Sequence, residues 1–158
     1  MSQEVTKETY RKGLGLFATG VTVITVGDES AFHGMTANAL CSVSMDPPLV
    51  LLSLDKQSDT QKFVEKTGAF GINILRHDQE ELAKRFAKKT DPIKDRSDLY
   101  SVSCGVPLLA DALCSIACRV WTTYDGVDHY LYLGKVEFMK VEHGSPLLFF
   151  NSRYAQIV

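Results

Sequence analysis

The segment Lys56-Gln-Ser-Asp-Thr60 sets a cation and two hydroxyls where a helix should begin. Ser58 with Gln61 has the spacing of a capping box, and Phe63-Val64 is the first apolar pair behind it, so a helix is expected from this cap to Gly68. A helix start presents unpaired N–H groups and the positive end of a dipole, which is the chemistry that holds a phosphate; a plain capping role for Ser58 uses the same residues. A second candidate is His33-Gly-Met-Thr-Ala-Asn-Ala-Leu40, followed by Ser42-Val-Ser44. Small and amide-bearing residues at that density suit a loop whose backbone approaches a flat ligand, with Asn38 able to donate and accept, although an ordinary polar turn has a similar composition. The third is Asp128-His129, at the entry to Tyr130-Leu-Tyr-Leu-Gly134. A histidine there either points into a cleft, where it can pair with an anion or an amide, or is a satisfied structural residue.

Other chemistries are disfavoured. Gly13-Leu-Gly15 resembles the start of a dinucleotide fingerprint, but the next glycine is at 20 rather than 18 and the segment precedes a strand instead of following one. Neither a P-loop nor a GxSxG elbow occurs. Cys41, Cys104, Cys114 and Cys118 form no CxxC pair and have no histidine at zinc-site spacing, so they read as small hydrophobes, with no metal site and no nucleophile among them. Seventeen Lys and Arg against nineteen Asp and Glu leave no positive field for nucleic acid or anionic lipid. No apolar run approaches the ~18 residues of a membrane span, and Met1 to Lys12 is polar, without the apolar centre of a signal peptide. A cytoplasmic protein is expected.

The elements that must position these residues are mostly strands. The 158 residues are the size of one domain, and 45% hydrophobic content is enough for its core. Thr6 can cap a helix through about Ala18, with Tyr10, Leu14 and Phe17 on one apolar face. Val21 to Val26 alternates as a strand, and Gly27-Asp-Glu-Ser30 turns it into a second strand near Ala31 to Met35. Leu49 to Leu54 and Ala69 to Leu75 read as strands, and Asp78 with Glu81 caps a helix carrying Leu82, Ala83 and Phe86. Lys88 to Val102 is expected to be a polar surface loop, followed by strands at about Ala112 to Tyr124, Tyr130 to Val141 and Leu147 to Phe150. Short helices and no βαβ alternation predict a mostly β chain, an antiparallel barrel rather than a parallel sheet.

In order along the chain, Phe17-Ala-Thr-Gly-Val-Thr-Val-Ile-Thr25, Gly34-Met-Thr-Ala-Asn38, Ser42-Val-Ser44, Pro47-Pro-Leu-Val50, Asn73-Ile-Leu75, Asp128-His129 and Pro146-Leu-Leu-Phe-Phe150 with Tyr154 resemble the flavin reductase family. The resemblance implies an antiparallel split β-barrel of the FMN-binding type. It implies an enzyme that takes hydride from NADH or NADPH to reduce FMN or FAD, then supplies reduced flavin to a partner monooxygenase. A homodimer is implied too, with flavin near the subunit boundary. By the same resemblance Thr36, Ala37, Asn38 and Ser42 line the isoalloxazine and ribityl chain, and Ser53, Lys56, Ser58 and Thr60 meet the flavin phosphate. Arg85 adds a second phosphate cation, His129 lies beside the nicotinamide or flavin face, and Tyr154 is the aromatic near the ring. One departure stands out: Val127 precedes Asp128 where many relatives carry glycine, and Gly126 lies one place earlier. A flavin-binding electron carrier or oxidase on the same fold, and a β-barrel interaction protein without redox chemistry, are the competing readings.

Overall fold

The structure, a computed structural model, describes residues 4–27, 31–88, 99–101 as backbone only, and 104–157. Thr6 caps α1 (Lys7–Gly15) reciprocally: its hydroxyl accepts from the Thr9 N–H at 3.1 Å, and the Thr9 hydroxyl accepts from the Thr6 N–H at 2.9 Å. The helix stops at Gly15 rather than near Ala18, because the chain leaves for β1 (Thr19–Gly20), which pairs with a strand near the C-terminus. No residue of α1 is buried, and Leu14 and Phe17 are 55% and 73% exposed. The expected apolar stripe therefore packs on nothing within the described chain.

β2 (Thr22–Gly27) and β3 (Phe32–Ala37) form the predicted hairpin, antiparallel from Gly27 opposite Phe32 to Thr22 opposite Ala37. Residues 28–30 of the expected turn lie outside the described residues. Beyond β3 the expected loop contracts to Asn38 and Ala39, since Leu40–Met45 is a strand, β4, paired with β5 (Pro48–Asp55). α2 (Asp59–Thr67) begins as predicted, with Ser58 Oγ accepting from the Gln61 N–H at 3.2 Å, and ends at Gly68, whose φ of 67° is a left-handed conformation that glycine adopts without steric cost. The Gln61 amide does not return to the cap; it donates to the Tyr132 hydroxyl and to Glu65, both at 3.2 Å.

β6 (Ala69–Ile74) follows, then α3 (Glu80–Phe86), which opens at Gln79 rather than Asp78. Asp78 is unavailable as a cap because Arg76 takes its carboxylate at 3.2 Å, while Gln79 Oε1 bonds back to the Arg76 N–H at 2.9 Å. Within the expected polar loop, Leu99–Ser101 is a strand, β7, paired with β8 (Pro107–Leu109); residues 89–98 and 102 of that loop lie outside the described residues. The remaining strands are β9 (Cys114–Gly126), β10 (His129–Val141), β11 (Leu148–Phe150) and β12 (Arg153–Ala155).

Seven strands make one sheet in the order β3-β2-β6-β9-β10-β5-β4, every pairing antiparallel, beside a β1-β11-β12 sheet and the β7-β8 pair. Bulges at Trp121 in β9 opposite the Leu133–Gly134 step, between Val136 and Phe138 in β10, and between Ser42 and Ser44 in β4 bend the sheet into a barrel-like curl. Its inside holds Ile24, Leu54, Val64, Phe70, Ile116 and Tyr132. A second cluster, with Val23, Leu75, Phe86 and Leu147, lies beneath α3. Each of these large side chains contributes roughly 1.5–3 kcal/mol by leaving water. Asn73 ties three strands together: its amide donates to Val23 O at 2.9 Å and to Thr25 Oγ1 at 3.1 Å, while its carbonyl accepts from the Leu109 N–H at 2.8 Å. Phe86 lies against Gly34, where an added Cβ would come within 2.5 Å of the ring. Among the described residues no helix is long and apolar enough to cross a membrane.

Candidate functional site

A cleft of about 240 Å³ opens where β3 runs out, lined by Val21, Thr36, Ala37, Asn38, Phe149 and Tyr154. Its two aromatics meet edge to face with centroids 5.4 Å apart. They are neighbours because Asn151 and Ser152, at φ of 48° and 61°, turn β11 tightly into β12. The Thr36 hydroxyl donates to Ala83 O of α3 at 2.7 Å, and Asn38 Nδ2 donates to Thr19 Oγ1 at 3.2 Å, so the strand end is held from both sides. Burial pushes the Tyr154 phenol above its ordinary value, which keeps it a neutral donor. The shape is a shallow apolar slot with a polar rim, the form that accepts a flat heteroaromatic ring.

Two further hollows adjoin this cleft through Ala87, which lines all three. One, of about 570 Å³, is walled by Glu81, Lys84, Arg85, Lys88 and Tyr154. Lys84 is held at 2.8 Å by both Glu80 and Glu81, and those bonds raise its pKa; Arg85 sits 5.6 Å over the Phe86 ring. The other, of about 130 Å³, lies between β3, the start of α2 and the end of α3, and includes His33, Ser58, Asp59, Thr60 and Lys88. Thr60 is fully buried there, and its hydroxyl has no hydrogen-bond partner among the described residues. Leaving a buried hydroxyl unpaired costs about 1–3 kcal/mol, so an incoming acceptor or donor that paired with it would be favoured. At the open end of α2, beside Lys88, a phosphate oxygen is such a group.

The structure thus gathers Thr36, Ala37, Asn38, Ser58, Thr60, Arg85 and Tyr154 around the C-terminal turn of α3. Ser42, Ser53, Lys56 and His129 are not among the residues lining those hollows. Ser42 is exposed on β4 opposite Val50, and Ser53 lies on β5, its N–H bonded to Ala39 O at 3.1 Å. Lys56 reaches the other way, to Asp125 at 2.7 Å, with its ammonium 4.8 Å from the Tyr130 ring centre. His129 opens β10 between Asp55 and Gly126, and its Nδ1 lies 2.8 Å from Asp128 Oδ1. That hydrogen bond holds the Asp128 carboxyl below its usual range, so the carboxylate accepts and Nδ1 donates. The turn before it is strained: Val127, a β-branched residue, has φ of 73°, and Asp125 Oδ1 anchors its N–H at 2.8 Å. Lys88 also lines the site, as do His33 and Phe149, which the sequence placed in the His33–Leu40 and Pro146–Phe150 segments without a role of their own. The available signal was the strict alternation of His33, Met35 and Ala37 along β3.

Residues 14–158 match the family of flavin reductase like domains. The chain belongs to the flavin reductase family. It is 40% identical over 161 residues to an NADH-dependent flavin reductase of a Rhodococcus species, spanning 99% of this chain and 90% of that one. It is 33% identical over 155 residues to the reductase component of 4-hydroxyphenylacetate 3-monooxygenase from Thermus thermophilus, spanning 96% and 97%. Among solved structures, flavin reductase PheA2 superposes with a TM-score of 0.89 at 37% identity, covering 98% of this chain and 99% of that one. The mostly β, antiparallel architecture of this flavin reductase is the family's split barrel, with three short helices added.

The four cysteines differ in reactivity. Burial pushes the Cys118 thiol up to about 12, helped by Cys104 and Glu137, and raises Cys104 and Cys114 as well, whereas Cys41 is exposed on β4. Iodoacetamide at neutral pH is expected to leave Cys114 and Cys118 untouched until the chain unfolds, as read by peptide mass spectrometry. Early labelling of Cys118 would contradict this account of β9.

Proposed function

We propose that this chain oxidises NADH and reduces FMN or FAD, releasing the reduced flavin to a partner oxygenase in the cytoplasm, where its four unpaired thiols are stable. The observation that carries this reading is the orphaned Thr60 hydroxyl at the start of α2, one hollow away from an aromatic-walled slot. Thr36, Ala37 and Asn38 would face the ring system, with Tyr154 and Phe149 closing its far side. Ser58, Thr60 and the α2 N–H groups, with Arg85 and Lys88 across from them, would hold the phosphate. Ser42 and Ser53 border the Asn38–Ala39 turn from β4 and β5, beside the ribityl path. The Lys56–Asp125 pair is partly exposed and screened by solvent, so a phosphate dianion can compete for the ammonium.

Bound flavin supplies the hydride acceptor and NADH the hydride. The protein's own task is then stacking and alignment, since a near-attack geometry supplies more of the rate than any proton transfer. His129 serves that alignment: Asp128 accepts its Nδ1–H, leaving Nε2 to accept from a nicotinamide carboxamide.

A symmetric pair of chains completes the picture. On β10 and β5, Leu131, Leu133, Leu49 and Leu51 alternate with the core residues and share the opposite face; Leu133 lies opposite Leu51, which lies opposite the exposed Cys41. Trp121, 56% exposed, and Val43, 48% exposed, flank them on β9 and β4. A contiguous apolar sheet face of this kind suits a second copy of itself. Sedimentation velocity is expected to show one species of twice the 17.5 kDa chain mass, and Leu51→Glu to shift it to the monomer. A wild-type monomer at micromolar concentration would end the dimer assignment.

Steady-state NADH oxidation with FMN, FAD and riboflavin added in turn tests the activity; a carrier would hold one flavin and fail to reduce an excess. His129→Ala is expected to raise KM for NADH several-fold and slow flavin reduction while leaving flavin affinity nearly unchanged. Equal disturbance of both ligands, with a lowered melting temperature, would make His129 a structural residue instead.

Ser58→Ala with Thr60→Ala should weaken FMN binding far more than riboflavin binding, because each lost hydrogen bond to the charged phosphate is worth about 1.5–3 kcal/mol. Fluorescence titration that finds equal losses would remove the phosphate from this end of α2.

A further inference from the structure

The small hollow holding Thr60 has one titrating wall that the proposed chemistry does not use. His33 stands on β3 opposite the start of α2, half-buried, its ring nearly parallel to that of Phe63 with centroids 6.1 Å apart. Both it and the Thr60 hydroxyl, which has no hydrogen-bond partner among the described residues, line the same 130 Å³. The charged groups around it are few. From α2 comes Asp59, whose carboxylate lies 2.8 Å from Lys62; from the end of α3 come Lys88 and, in the adjoining hollow, Arg85; from β2 the residue opposite is Val26, which carries no charge.

We propose that His33 is a titrating member of the phosphate subsite, so that the preference of this protein for phosphorylated flavins over riboflavin weakens as pH rises. The inference rests on the phosphate lying at the start of α2. Without ligand, burial favours the neutral imidazole and lowers the pKa of His33, an effect that Asp59 partly offsets. A phosphate entering the hollow brings negative charge against the imidazole that lines it, which favours the imidazolium. The pKa in the complex therefore exceeds that in the free protein, and binding takes up a proton. Affinity gained this way is full below the free-state pKa and is lost as pH climbs through the bound-state value. The second ionisation of the FMN phosphate, near pH 6, acts in the opposite direction, so a variant lacking the imidazole is the necessary reference.

The test measures dissociation constants of FMN and riboflavin by flavin fluorescence between about pH 6 and about pH 8, for wild type, His33→Gln and His33→Lys. Calorimetry in two buffers of different ionisation enthalpy counts the protons. Relative to His33→Gln, the wild-type ratio of riboflavin to FMN dissociation constants is expected to fall about fivefold across that range, the scale of one partly exposed charge contact. Proton uptake on FMN binding should be present in wild type and absent in His33→Gln. His33→Lys, with a permanent charge, should keep the ratio high throughout, and riboflavin affinity should stay within about twofold in all three, which also reports an intact fold. Identical pH profiles and proton uptake in wild type and His33→Gln overturn the role of His33 while leaving the phosphate placement standing. No preference for FMN over riboflavin at any pH overturns both.

Discussion

The close approach of Phe86 to the bare backbone of Gly34 is the contact on which the site depends. Any side chain at Gly34 would meet the ring at 2.5 Å, so α3 lies this near β3 only because the strand carries no Cβ there. The Thr36–Ala83 hydrogen bond at 2.7 Å repeats the constraint one residue pair further along. Together they fix the last turn of α3 where three hollows meet, with Ala87 as their common wall. A ring-shaped slot and a polar, cation-bearing pocket thereby become two ends of one surface.

The electrostatics of that surface follow from which charges are already committed. Lys84 is occupied by two carboxylates of its own helix and adds little to an incoming anion. Lys88 lines the hollow that contains Thr60 and the start of α2, and Arg85 lines the adjoining one. A buried hydroxyl without a partner is a cost to the folded chain alone, and such costs concentrate where a ligand is to be received. The strained Val127 is a second instance: the β9–β10 turn holds a β-branched residue at φ of 73°, and His129 is aimed by the strand that begins immediately after it.

The apolar strand face and the exposed stripe of α1 are where the single chain leaves large hydrophobic side chains uncovered. β5 and β10 bury one set of alternating residues in the barrel and leave Leu49, Leu51, Leu131 and Leu133 on the other side. In an antiparallel sheet one polar face is the usual outcome, and the apolar outer face departs from it. α1 is capped at Thr6 without burying a residue, which makes its stability a matter of local hydrogen bonds rather than packing.

Features whose cause lies within a few residues were legible from the amino-acid order. The cap at Thr6, the Ser58 start and Gly68 stop of α2, and the β2–β3 alternation each depend on partners at most a few positions away, or on a period of two. The capped start of α2 was visible for that reason. What was not visible depends on partners far along the chain. β4 replaced a loop because β5 was there to pair with it, and β7 and β12, three residues each, exist only by virtue of β8 and β11. Asp78 lost its cap to Arg76, and Lys56 was drawn 69 positions along the chain to Asp125. His33 reads as one more alternating strand residue until α2 and α3 are folded against it. Local order set which side chains had the right chemistry; long-range pairing alone decided which of them face one another, because a strand's register and a helix's docking are settled by burial that no short segment contains.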